Sequence, residues 1–261
     1  MERTGLQVSS IIPNNFGEAR WGMGSYSAKD PEIRRQAIAG TKAMMDVAAE
    51  LGCRTVSLWP GQDGYDYSFQ ADYSAEHQWL AESLRECADH RQDIRVSLEY
   101  KIKEPRTHCY ISTVGTTLLL VQEIARDNVG VTIDVGHALM AYENMAESVT
   151  LLKHYGNKLF HLHLNDNYRL WDDDMMVSSL HLIEYLELFY WLDRTGYDGW
   201  YSVDEYPYRE DPVRAVRESL AWIEGLHRLL ERVGPANIAK VIESGDATAA
   251  SAMLREAFLP A

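Results

Sequence analysis

Short apolar runs that alternate with longer stretches of helical periodicity constrain this chain more than any other feature. The runs are Leu6–Ile12, Thr55–Trp59, Arg95–Tyr100, Val131–Val135, Leu159–Leu164 and Trp200–Tyr206, each bounded by polar, Gly or Pro residues. Between them lie helices with readable ends. Asp30-Pro31 supplies an N-cap followed by Pro at the first helical position, and Ile33, Ala37, Ile38, Met44, Met45 and Ala48 recur at helical spacing up to Gly52. Asp211-Pro212 opens a second helix in the same way. Strands separated by helices of this length form parallel βαβ units. A length of 261 residues suits one α/β-barrel domain over residues 1–261, with no repeat or linker.

Side-chain parity says which face of each strand is inside. In Arg95–Tyr100, Val96 and Leu98 share one face, while Arg95, Ser97 and Glu99 share the other. The same test pairs Val131 with Ile133 against Thr132 and Asp134, and Phe160 with Leu162 against His161 and His163. In the last run, Tyr201 and Val203 form the apolar pair, which puts Asp204 rather than Glu205 inside. A polar interior backed by an apolar outer face is what a barrel needs near its catalytic end.

Four successive strands therefore end in a potential metal ligand: Glu99, Asp134, His163 and Asp204. Three carboxylates with one imidazole suit Mn²⁺, Mg²⁺ or Co²⁺ better than a structural zinc, which prefers thiolates. Each residue alone reads as a polar strand end. Agreement in both position and face, and the cost of burying carboxylates without a cation, favour a metal centre. His137, three residues after Asp134 across a glycine turn, can join Asp172 and Asp174 of the Trp-Asp-Asp-Asp loop to hold a second cation. Alone, such an acidic triplet is ordinarily solvated surface. Lys101 shares a face with Glu99 and reads either as an ion-pair partner or as a charge that polarises a substrate oxygen.

These residues resemble the xylose-isomerase-like barrel superfamily, and within it the L-rhamnose isomerase branch. The resemblance runs through IPNNF, LWPGQDGYDY, LEYKIKEPR, IDVGHA, HLHLND, WDDD and VDEYPYRED. It implies that Glu99, Asp134, His163 and Asp204 hold a structural metal, and that His137, Asp172 and Asp174 hold a catalytic one. It further implies one or two divalent ions per subunit, with Mn²⁺ preferred, and makes Lys101, Glu99 and Asp172 the catalytic residues. Trp59 and His137 would contact the substrate, Trp59 as the wall for the sugar carbons. Barrels of this superfamily carry eight strands with the glutamate on the fifth. Here it falls on the third, so an incomplete barrel of about six βα units is expected, lacking two at the N-terminus.

The activity so implied is aldose–ketose isomerisation by a hydride shift between C1 and C2. A ketose 3-epimerase is the alternative, with Glu104 near its second glutamate and Arg169 as a grip on substrate oxygens. A truncated, non-catalytic metal-binding barrel is a third reading. An endonuclease for abasic DNA, which shares the barrel, is disfavoured by the net charge of −14, since nucleic-acid affinity rests on Lys and Arg. The expected partner is a monosaccharide, with no nucleic acid and no membrane. Cys53, Cys87 and Cys109 form no CxxC pair, and no signal peptide is evident, so a cytoplasmic enzyme is expected. His161 is read as an orienting neighbour of His163. The aromatic helix Leu180–Leu192 suggests a homo-oligomer, dimer or tetramer.

Overall fold

A computed structural model describes residues 4–259. Five parallel strands, β1 (Thr55–Leu58), β3 (Arg95–Glu99), β5 (Val129–Asp134), β6 (Leu159–Leu164) and β7 (Tyr201–Val203), lie side by side in that order. β2 (Gly64–Tyr65) and β4 (His108–Cys109) form a separate antiparallel ribbon. The expected N-terminal strand Leu6–Ile12 is reduced to one bridge, Ile11 to Val56. That register would set residues 6–9 opposite 51–54, where the chain is still turning between helix and β1, and Pro13 has no N–H to extend the ladder. The last expected strand likewise shortens to Tyr201–Val203, because the Tyr206 N–H turns away to Asp174 O at 3.1 Å.

The sheet is a half-barrel whose polar face is concave. Ser57 on β1 and Thr132 on β5 are two strands apart, yet their hydroxyls meet at 3.0 Å, and Ser97 of β3 joins Thr132 at 2.7 Å. A flat sheet would hold strands two apart nearly 10 Å from each other, so the contact requires strong curling. Parity is as expected: Val96, Leu98, Val131, Ile133 and Leu162 are buried on the convex side. Each such side chain contributes about 2 kcal/mol through burial.

Helices cover that convex side. They are α1 (Pro31–Glu50), α2 (Tyr73–His90), α3 (Val114–Ile124), α5 (Met145–His154), α6 (Leu182–Thr195) and α7 (Pro212–Val233), with a short α4 (Val135–Met140) directly following β5. Asp30 and Asp211 cap α1 and α7 as the sequence implies, accepting from Glu32 N and Arg214 N. On α6, Tyr185, Phe189 and Tyr190 are buried within the chain itself, and Phe189 stacks on His227 of α7 at 4.8 Å. Their apolar area is thus consumed internally and does not by itself define a subunit interface. α8 (Pro235–Ser244) and α9 (Ala247–Phe258) pack against α7, tied by Arg232 donating to Ala257 O at 2.6 Å. Among the described residues, no helix is long and apolar enough to cross a membrane.

Candidate metal centre

Parallel strands all point their C-terminal ends one way, so Glu99, Asp134, His163 and Asp204 converge at one rim of the half-barrel. One ligand atom from each lies within 4.8 Å of all the others. His163 Nδ1 sits at the middle, 3.3 Å from Glu99 Oε1, 3.2 Å from Asp204 Oδ2 and 3.9 Å from Asp134 Oδ2. Glu99, Asp134 and His163 are buried, whereas the Asp204 side chain is 52% exposed.

A second group shares Asp134. Asp134, His137 and Asp172 also bring ligand atoms within 4.8 Å of one another. His137 Nε2 stands 3.1 Å from Asp172 Oδ2, and its Nδ1 is 3.6 Å from Glu99 Oε1. The tight turn after β5 makes this possible. Asp134 caps α4 by accepting from His137 N at 2.9 Å, and Gly136 passes so close to Asn165 and Asn167 that a Cβ would lie 2.6 Å from Asn165 Oδ1. Asp174, expected in this group, instead faces Asn165 Nδ2 at 3.4 Å through its Oδ1.

Lys101 is 7% exposed and clamped between carboxylates, with Nζ 2.7 Å from Asp172 Oδ2 and 3.1 Å from Glu104 Oε2. It lies 5.4 Å over the Trp59 ring, which packs edge-on against Phe16 at 4.6 Å. The lysine, the tryptophan and both ligand groups therefore form one site.

Electrostatics favour a cation here. Burial works against charge on His163 and His137, but the surrounding carboxylates outweigh it, Glu99 foremost for His163 and Asp134 for His137. They push the two imidazoles up to about 10 and about 9 in the metal-free chain. Burial, aided by Asp172 and Glu99, lifts Asp134 to about 7 against the pull of His137. Burial alone would raise Glu99, yet His163 and His137 hold it below the usual range. His163 Nδ1, His137 Nδ1 and Asp172 Oδ1 are all buried without a hydrogen-bond partner. Orphaned ligand atoms amid crowded carboxylates are what a divalent cation would satisfy, and the oxygen-rich donor sets match hard or borderline ions.

Some contributors escape a reading of the sequence. Asn165 donates to both Asp134 oxygens at 3.3 and 3.2 Å and accepts from Gly136 N at 2.7 Å, so it fixes the ligand both groups share. Its place two residues after His163, on the same strand parity, is the signal that could have found it. Phe16 and the clamp by Glu104 carry no such signal. Arg169 is turned away, donating to His181 Nε2 at 3.1 Å and pairing with Glu184 at 3.5 Å. His161 meets Ser202 Oγ at 2.9 Å and stands edge-on to His163 at 5.2 Å, with no hydrogen bond to a ligand.

Known proteins resemble this chain in sequence and in fold. Xylose isomerase of Thermus thermophilus is 29% identical over 222 residues, covering 83% of this chain and 57% of that protein, so the chain spans little more than half its length. A D-tagatose 3-epimerase-like structure superposes with a TM-score of 0.72 at 23% identity, covering 89% of this chain and 82% of that one. An L-ribulose 3-epimerase structure does so with a TM-score of 0.70 at 15% identity, covering 89% and 80%. The model of the xylose isomerase-like TIM-barrel family matches residues 1–226, and the chain belongs to that family.

Proposed function

We propose that the protein is a divalent-metal-dependent sugar isomerase that interconverts an aldose and its ketose. The observation that carries this reading is Lys101, a buried ammonium paired with Asp172 at 2.7 Å beside two ligand groups that share Asp134. In the reading, Glu99, Asp134, His163 and Asp204 would hold one divalent ion. Asp134, His137 and Asp172 would hold a second, with Asp174 staying at Asn165. Mn²⁺ is the preferred ion. Bound cations supply Lewis acidity at the substrate's carbonyl and hydroxyl oxygens.

The chain's own residues do the rest. Lys101 donates to the carbonyl oxygen O1, and Trp59 walls off the carbon chain from water. The hydrogen on C2 moves with its electron pair to C1, so that C2–O becomes the new carbonyl. The proton of the O2 hydroxyl passes to Asp172 and is returned to O1, which leaves atoms and charge balanced. Such a shift depends on alignment and polarisation more than on a strong base. The reading also makes the enzyme a cytoplasmic homo-oligomer, in keeping with three buried free cysteines and the open edges of the half-barrel.

A ketose 3-epimerase is the second reading. It draws support from the epimerases of the same fold and from Glu104, whose Oε1 is buried without a partner beside Lys101. One experiment separates the two: Mn²⁺ is added back to chelator-treated protein in D₂O with a panel of aldoses and ketoses. Aldose–ketose conversion with little deuterium at the transferred position supports the isomerase. Deuterium at C3 of a ketose replaces it with the epimerase. Metal binding without conversion of any sugar would reduce the protein to a non-catalytic metal-binding barrel.

A further inference from the structure

A cavity of about 450 Å³ opens beside the metal centre and is not used by the chemistry above. It is within the range of about 300–1,000 Å³ that small ligands occupy. Two of its walls run on along the chain from metal-site residues. Trp171 precedes Asp172, and Glu205 and Tyr206 follow Asp204. Asp174 belongs to the lining and meets Asn165, the same amide that holds Asp134. The Tyr206 N–H donates to Asp174 O at 3.1 Å and joins the two walls. The cavity therefore continues the metal site outward.

Its lining has two chemistries. Three rings stand open to solvent: Trp171, Tyr206 and Tyr208, the two tyrosines 4.7 Å apart and tilted by 54°. Exposed rings gathered around one cavity, unlike single exposed rings, mark a surface for a ligand. Between them are carboxylates, Asp173, Asp174, Glu205 and Glu210, against the single guanidinium of Arg209. Glu205 is braced from below by the Ser219 hydroxyl through Oε1, while its Oε2 is buried without a partner. Aromatic faces favour the C–H faces of a sugar ring, and carboxylates accept from its hydroxyls. Four carboxylates to one cation, on a chain of net charge −14, repel a phosphoryl group.

We propose that this cavity is a subsite for a second, neutral sugar ring, which makes the substrate an unphosphorylated reducing disaccharide with its free-carbonyl sugar at the metals. The proposal rests on the sugar-isomerase reading for the placement of the reacting sugar, but the subsite is tested by binding alone. Full-length, Mn²⁺-loaded protein is titrated by calorimetry with glucose, glucose 6-phosphate, maltose, cellobiose and lactose. At least one disaccharide should bind roughly tenfold more tightly than glucose, and glucose 6-phosphate no more tightly than glucose. Trp171→Ala and Tyr208→Ala should each lower disaccharide affinity roughly three- to tenfold more than glucose affinity. Trp171→Phe, which keeps a ring, should restore most of the difference, and circular dichroism verifies folding of each variant. Disaccharides that bind no better than glucose, equal losses for both sugars, or preference for the phosphate ester would overturn the subsite. Disaccharide binding that survives with no turnover of any sugar would sink the isomerase reading and leave the subsite standing.

Discussion

The two ligand groups share Asp134 but are built from different parts of the fold. Glu99, Asp134, His163 and Asp204 come from the ends of four neighbouring strands, whereas His137 comes from the short helix α4 and Asp172 from a loop. A strand transmits direction faithfully, because every second side chain emerges on the same face and the ladder holds the neighbours in register. A loop transmits only proximity. The strand-borne group is therefore predetermined by the sheet, and the loop-borne group depends on local devices such as Asn165 and the close approach of Gly136.

The largest test of this comparison removes what the groups share. Asp134→Asn should abolish both, lowering kcat/KM by roughly a thousandfold, the equivalent of the several kcal/mol a metal supplies to catalysis. Mn²⁺ titration by calorimetry should then show no tight site. If one tight site survived, Asp134 would serve a single group and the sharing would be wrong. Lys101→Met comes next. With the ammonium gone, kcat should fall about a hundredfold or more while Mn²⁺ affinity holds within a few-fold, since Lys101 touches a ligand without being one.

Asn165→Ala probes the bracing of the shared ligand. A lost orienting hydrogen bond of this kind weakens metal binding by about ten- to a hundredfold. Equilibrium dialysis should find a larger loss at the loop-borne group, because Asn165 also bonds the Gly136 turn that sets His137. Equal losses at both groups would mean that the turn holds itself.

The pH dependence follows from the two imidazoles. Their pKa values in the metal-free chain are raised, to about 10 for His163 and about 9 for His137. Stability from their charge is fully present below the unfolded value of about 6.5 and lost as pH rises through 9 and 10. A bound cation needs both imidazoles neutral, so metal binding at pH 7 must release protons. Calorimetry in buffers of different ionisation enthalpy should detect that release, and apparent affinity should climb with pH until about 10. A pH-independent affinity between 6.5 and 9 would refute the charged state assigned to these histidines.

Much of the strand-borne half was legible beforehand for the same reason that it is robust. Parity alone placed Glu99, Asp134 and His163 inside, and chose Asp204 over Glu205, which the structure turns toward Ser219 of α7. Helix ends were legible where a capping Asp precedes Pro, as at Asp30 and Asp211. The Leu6–Ile12 run yields only one bridge because an apolar run does not say where the strand opposite it begins. Asn165 is harder to read from sequence, because an amide carries no charge that would mark it as a partner of buried carboxylates. Arg169 reads as a substrate grip in sequence, because spacing alone does not say that Glu184 and His181 are close enough to claim it.

The smallest expected effect is also the sharpest test of loop against strand. Spacing in Trp-Asp-Asp-Asp made Asp172 and Asp174 equal candidates, since alternate residues share a face only if the segment is extended. It is not extended there: Asp174 has φ of +46°, in the left-handed region, and this turns its carboxylate toward Asn165 while Asp172 meets His137 and Lys101. Asp172→Asn should therefore cost the second group far more than Asp174→Asn. For Asp174→Asn the loss of Mn²⁺ affinity should stay within about tenfold, comparable to removing one hydrogen bond of about 0.5–1.5 kcal/mol. Parallel titrations of the two variants decide the point. Equal losses would mean that the loop re-forms around the cation to bring Asp174 in, so that the second group is assembled by its metal while the strand-borne group is prebuilt by the sheet.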